Sequence, residues 1–122
     1  MKHLLNWVEI PATDIKRAKK FYSTILGGVQ FHDMENQGTK YALFPAEDKH
    51  NTGALVQGEY HKPSADGITI YLDGGKDMDN ILKNVEKAGG EIIMPKTNTG
   101  MEAGYVGMFI DSEGNKIGLQ HM

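Results

Sequence analysis

The chain has 122 residues, of which 39% are apolar and 24% charged, with a formal net charge of −3 and no cysteine. That length suits one compact domain with its own core, and the acidic balance excludes a general nucleic-acid binder. The missing thiols exclude disulfides, thiolate zinc sites and cysteine nucleophiles, and they fit a reducing compartment.

The N-terminus carries no charged-then-apolar leader, and no apolar run approaches the roughly 18 residues that a membrane span requires. The expectation is a cytoplasmic protein. Leu4 to Ile10 reads as a short strand closed by Pro11. Thr13 or Asp14 is placed to cap a helix. In that helix Ile15, Ala18, Tyr22, Ile25 and Leu26 form one apolar stripe. Lys16, Arg17, Lys19 and Lys20 fall on its outer face and read as solvated charge. Gly27 and Gly28 end it. Strands are predicted at Val29 to Met34, Lys40 to Phe44 and Gly53 to Gln57, with turn-forming residues between them.

The pattern then recurs after a connecting segment, Glu59 to Asp66. Ile68 to Leu72 reads as a strand and Gly74-Gly75 as a break. Asp77 is the expected cap of a second helix with Met78, Ile81, Leu82, Val85 and Ala88 on one face. Gly89-Gly90 ends it. Strands follow at Glu91 to Met94, Tyr105 to Ile110 and Lys116 to Gln120. "DSEGN", Asp111 to Asn115, is a hairpin turn signal. Each half is a strand, a helix and three strands, over residues 1–58 and 66–122. Short echoes support the repeat: "LGG" and "AGG" after the helices, "KYALF" and "GYVGMF", "TGALVQ" and "KIGLQ". Each half is too small to bury its sheet alone, so the two are expected to pack as one α+β domain.

The stretches "VEIPATDIKRAKKFYSTILGG", "NVEKAGGEIIMPKT" and "MFIDSEGNKIGLQ", in this order and spacing, make the chain resemble the vicinal oxygen chelate superfamily. That group includes glyoxalase I, bleomycin-resistance proteins and extradiol dioxygenases. The likeness covers essentially the whole chain and is greatest to small glyoxalase-related bacterial members. It implies two βαβββ modules whose mixed, largely antiparallel sheets curl into a cup. In the metal enzymes of the family, His and Glu side chains from the first and last strands of the modules hold a divalent ion. The ion chelates two substrate oxygens and stabilises an oxyanion. Laid on this chain, those positions fall on Trp7, on Gln57 (Val56 if the register slips by one), on Ile68 or Thr69, and on Gly118. None is a good ligand, so no metal and no other cofactor is expected.

Trp7 and Glu9 share a strand face, and Gln57 and Gln120 are expected to look into the same cup. Glu9 is the candidate general base, or else an exposed or structural carboxylate. Trp7 is either pocket lining or core. Thr69, Met101 and Met108 are the further candidate ligand contacts. Met101 lies in "TNTGMEAGY", which is either a lid or a plain connection. The histidines show no ligand-pair spacing. His32 and His50 read as surface residues, and His61 lies in the connector, where the family makes intermodule or dimer contacts. A displaced metal site of His3, Glu9 and His121 stays open. The resemblance leaves two functions. One is a metal-independent enzyme, lyase or isomerase, acting on a small oxygenated metabolite. The other is a non-catalytic binder that sequesters a small molecule such as an antibiotic. A module whose cup is filled by side chains is the third outcome. The resemblance also implies a homodimer.

Overall fold

The computed structural model describes residues 4–46 and 51–121. Its elements are β1 (Val8–Pro11), α1 (Ile15–Ile25), β2 (His32–Asn36), β3 (Thr39–Leu43) and β4 (Gly53–Gln57). They are followed by β5 (Ile70–Asp73), α2 (Met78–Val85), β6 (Glu91–Asn98), β7 (Tyr105–Ile110) and β8 (Lys116–His121). The order of a strand, a helix and three strands therefore occurs twice. It builds two open four-stranded sheets, ordered β1-β4-β3-β2 and β5-β8-β7-β6. In each sheet the first strand runs parallel to the last, and the other neighbours are antiparallel. This is the α+β architecture expected from the repeat.

Several boundaries differ from the sequence reading. The first strand begins at Val8, not Leu4, because its neighbour β4 begins at Gly53, the partner of Val8. Leu4 and Leu5 are left exposed. Ile68 likewise precedes β5 and is exposed. Asp14 caps α1, its carboxylate accepting from the backbone N–H of Lys16 and Arg17. Asp77 makes no such bond, because a 3-10 turn, Gly75–Asp77, leads into α2 instead. Phe21, absent from the predicted stripe, is among the most buried residues of α1.

Each helix lies on one face of its own sheet. On α1 that means Ile15, Ala18, Phe21, Tyr22 and Ile25; on α2 it means Met78, Ile81, Leu82 and Val85. The two sets join one core with Ile10, Leu55, Phe109, Ile117 and Leu119. Each large side chain so buried contributes about 1.5–3 kcal/mol. The Phe21 ring sits 5.8 Å from that of Phe109, across the two units. It also explains Gly90, where a Cβ would come within 2.7 Å of the Phe21 ring.

A second tie between the units is polar and comes from one turn, Asp111 to Asn115. Glu113 reaches back to the start of α1. Its Oε1 accepts from the N–H of Thr13 and of Asp14 at 2.9 Å, and its Oε2 from Arg17 Nε at 2.7 Å. Burial alone would push this carboxyl up. The Arg17 guanidinium and the bonds from Asp14, Ser112 and Thr13 outweigh it and hold the group down to about 2, from an ordinary 4.5. Asp111, itself buried, accepts from the Tyr22 hydroxyl at 2.6 Å and from Asn115 Nδ2 at 3.0 Å. Burial, then the neighbouring Asp111 charge, raises the Tyr22 phenol well above its usual value. Asn115 donates to Pro11 O on β1 and accepts from Ser64 N in the connector. The turn read from sequence as a hairpin signal therefore also locks the two units together.

Candidate functional site

Side chains on β1 alternate between two environments. Val8 and Ile10 face the helices and join the core. Glu9 and Pro11 face away, in register with Ala54 and Val56 of β4. Those two partners are fully buried. The first sheet is therefore closed beside Glu9, and access comes from its outer edge.

Trp7, just ahead of β1, shares the Glu9 face. Its indole N–H donates to Glu9 Oε2 at 3.2 Å. His61, from the connector, brings Nε2 to 2.7 Å from Glu9 Oε1. Both oxygens of the carboxylate therefore have a polar neighbour. A half-buried carboxylate needs such partners to offset lost hydration. With the imidazole neutral and its proton on Nε2, the ring donates to Glu9. Nδ1 is then a buried acceptor without a partner among the described residues. It lies beside Gly58, together with the Thr39 hydroxyl: a Cβ on Gly58 would meet Thr39 Oγ1 at 3.1 Å and His61 Nδ1 at 3.3 Å. Gly58 thus leaves the room in which the imidazole is seated.

β1 and β5 are the outer strands of their sheets on the connector side. Between them lies a cleft of about 450 Å³. Glu9 and Pro11 form one wall, Ile70 and Ile117 the other, and Lys62 and Ser64 of the connector lie along it. This volume is in the range of small-molecule sites.

The predicted residues do not gather in one cup. Trp7 and Glu9 lie together on the first sheet. Gln57 does not join them, which corrects the expected face. It sits one residue beyond Val56 and so shares the helix side with Leu55. There its Oε1 accepts from Ile15 N at 2.8 Å and helps cap α1. Gln120, Met108 and Gly118 belong to the second sheet, on the face away from α2. Met108 stands opposite Gly118 in register. Gln120 Nε2 donates to Ala103 O at 3.2 Å and so holds the 99–104 loop. Met101, at the tip of that loop, is 70% exposed and covers nothing. Thr69 is half-buried and directly precedes β5. His61 carries no local sequence signal for its role, because its partner is 52 residues away.

The positions that the resemblance assigns to a chelated ion supply no suitable donors. Trp7, Gln57 or Val56, Ile68 or Thr69, and Gly118 offer neither imidazole nor carboxylate. The Tyr71 ring lies over Gly118, where a Cβ would come within 2.5 Å of it. In the displaced set, His3 lies outside the described residues. His121 stacks on Tyr105 in the second sheet, with centroids 6.3 Å apart, while Glu9 in the first sheet is engaged with His61. Among the described residues no group of three or more His, Cys, Asp or Glu side chains is placed to hold a metal ion. The residues present do not fit the family's chelating centre.

Residues 4–119 match the family model described as Glyoxalase/Bleomycin resistance protein/Dioxygenase superfamily. A Mycobacterium bovis protein described as "Putative glyoxylase CFP32" is 25% identical over 115 residues, covering 93% of this chain. The chain spans 44% of the length of that curated relative. Among solved structures, a glyoxalase/bleomycin resistance protein from Albidiferax ferrireducens T118 superposes with a TM-score of 0.70 at 19% identity. That match covers 98% of this chain and 99% of the other. A glyoxylase/bleomycin resistance protein/dioxygenase domain from Frankia sp. EAN1pec gives 0.74 at 14% identity, covering 99% and 98%. These likenesses show the fold.

Proposed function

Because the chain belongs to the glyoxalase/bleomycin resistance protein/dioxygenase superfamily, we propose that it binds a small oxygenated organic molecule at the cleft beside β1, without a chelated metal ion. The observation that carries this reading is Glu9, which lines the cleft and is bonded by Trp7 and His61 outside its lining. Glu9 is the group to accept a hydrogen bond from a substrate hydroxyl, and it is the candidate base for an isomerase- or lyase-type proton transfer. A carboxylate has about four lone-pair directions, so two neighbours leave Glu9 room for a third donor. Trp7 stands next to this carboxylate through its indole N–H bond, and so holds and reports on it.

Sequestration without turnover is the second reading. It is favoured by the two neighbours already engaging Glu9, which fix it as an anchor. Thr69, Met101, Met108 and Gln120 do not reach this cluster and would contribute only if a second copy placed its own second sheet against the first. The exposed Leu4, Leu5 and Ile68 support such a homodimer. A cytoplasmic setting fits the cysteine-free composition. No helix among the described residues is long and apolar enough to cross a membrane.

Trp7 is the chain's single tryptophan, so its emission reads the site directly. The test titrates glycolate and hydroxyacetone while following that emission, in the native protein and in Glu9→Gln, with nickel, manganese and zinc added separately. The expected result is a saturable change with one of the two compounds that is lost in Glu9→Gln, and no melting shift with any ion. A stoichiometric ion that raises the melting temperature would overturn the metal-free reading.

A further inference from the structure

We propose that the molecule taken at the cleft between β1 and β5 is a carboxylate with a short apolar body, its carboxylate held by Lys62, Ser64 and Lys116. This rests on the reading of the cleft as the binding site and adds the class of ligand.

The argument begins with the apolar lining. Pro11 of β1, Ile70 of β5 and Ile68 just before it line the cleft, with Ile10 and Ile117 packed in the core beneath it. A hydrocarbon body placed there leaves water at little polar cost. The rim is different in kind. Lys62 comes from the connector and Lys116 from the first residue of β8. Among the described residues neither ammonium has a carboxylate within ion-pair distance.

Other polar groups around the cleft are already committed. Asn115 spends its oxygen on Ser64 N and its amino group on Pro11 O and Asp111. Glu9 is engaged by Trp7 and His61. Ser64 Oγ accepts from Asp66 N, which leaves its hydroxyl proton free to donate. The side-chain donors open to a ligand are therefore the two ammonium groups and this hydroxyl. Three donors around an apolar floor match the two oxygens of a carboxylate. Asp66 is the one acid of the lining without a bonded partner of its own, and it is exposed on the solvent side. It opposes a ligand that would present a second negative charge, so a monocarboxylate fits better than a dianion. The Asn115 bond to Ser64 N also ties the connector to the start of β8, so the backbone that carries Lys62 and Ser64 is anchored beside Lys116.

The test uses three probes with one six-carbon chain: hexanoate, 1-hexanol and hexylamine. Binding is followed by melting temperature and by calorimetric titration of the native protein and of Lys62→Met/Lys116→Met. Both lysines reach solvent, and the native melting temperature of the variant is checked first. The expected result is a saturable hexanoate response with weaker 1-hexanol and none with hexylamine. The double variant should bind hexanoate about tenfold or more less tightly, as loss of charge-assisted bonds predicts, with 1-hexanol unchanged. Added salt should weaken hexanoate alone. Equal responses to hexanoate and 1-hexanol, or full hexanoate binding by the double variant, would overturn the carboxylate class while leaving the cleft as a site. No response to any probe would overturn the class and the cleft together.

Discussion

The two halves share one topology and differ in what they do with it. In the first, β1 carries Glu9 out to the sheet edge, where Trp7 and His61 hold it. In the second, the matching strand β5 carries Tyr71, whose half-exposed ring lies over Gly118. The helix starts differ too. α1 is capped three times, by Asp14, by Gln57 and by Glu113 from the other half. α2 enters through a 3-10 turn without a side-chain cap. A duplicated fold thus has one half whose edge strand carries a held carboxylate, and one half whose matching strand carries a tyrosine and whose last turn supplies the clamp.

The largest expected effect breaks that clamp. Asp111→Ala should cost about 3 kcal/mol, since it leaves the buried Tyr22 hydroxyl and Asn115 amide without their shared acceptor. Urea denaturation measures this. A loss near zero would mean that the halves are held by their apolar contact alone. Next comes acid. Glu113 has its carboxyl held down to about 2 from 4.5, so its contribution is complete above pH 4.5 and is lost as pH falls towards 2. The loss should be on the order of 2 kcal/mol after allowing for solvent screening around Arg17. Glu113→Gln should flatten that part of the pH profile.

Smaller effects sharpen the contrast between the two glutamines. Gln57→Ala should cost about 1 kcal/mol as a helix-cap loss. Gln120→Ala should cost less than about 0.5 kcal/mol, as an exposed loop contact does, while speeding hydrogen exchange at the Gly104 amide. Equal costs would erase the distinction. The smallest change in stability, within about 0.5 kcal/mol, is expected for Glu9→Gln. Its signature should be a shift of Trp7 emission, because the indole N–H loses a charged acceptor.

The glutamines also show what the sequence could reveal. The repeat, the strand order and the family likeness were legible because periodic apolar positions and glycine stops are local signals. The echo "ALVQ" against "IGLQ" looked like two equivalent residues. One sits two positions after its core leucine, Leu55, and the other directly after Leu119. Strand faces alternate with every residue, so that single extra position sends Gln57 to the helix and Gln120 to the opposite face. The difference was present in the sequence and turns on which leucine is buried. His61 and Glu113 were beyond local reading. Their partners lie 52 and about 100 residues away, and only the packed fold joins them.

The five-residue turn from Asp111 to Asn115 has a consequence for how such a chain changes over evolutionary time. It closes the β7–β8 hairpin of the second half, and its side chains also bind the start of α1, Tyr22 within it and the end of β1 in the first. Four of its five residues lie outside the cleft lining, and only Asn115 belongs to it. Evolutionary change at the other four can therefore act on the junction of the halves with no residue of the cleft replaced.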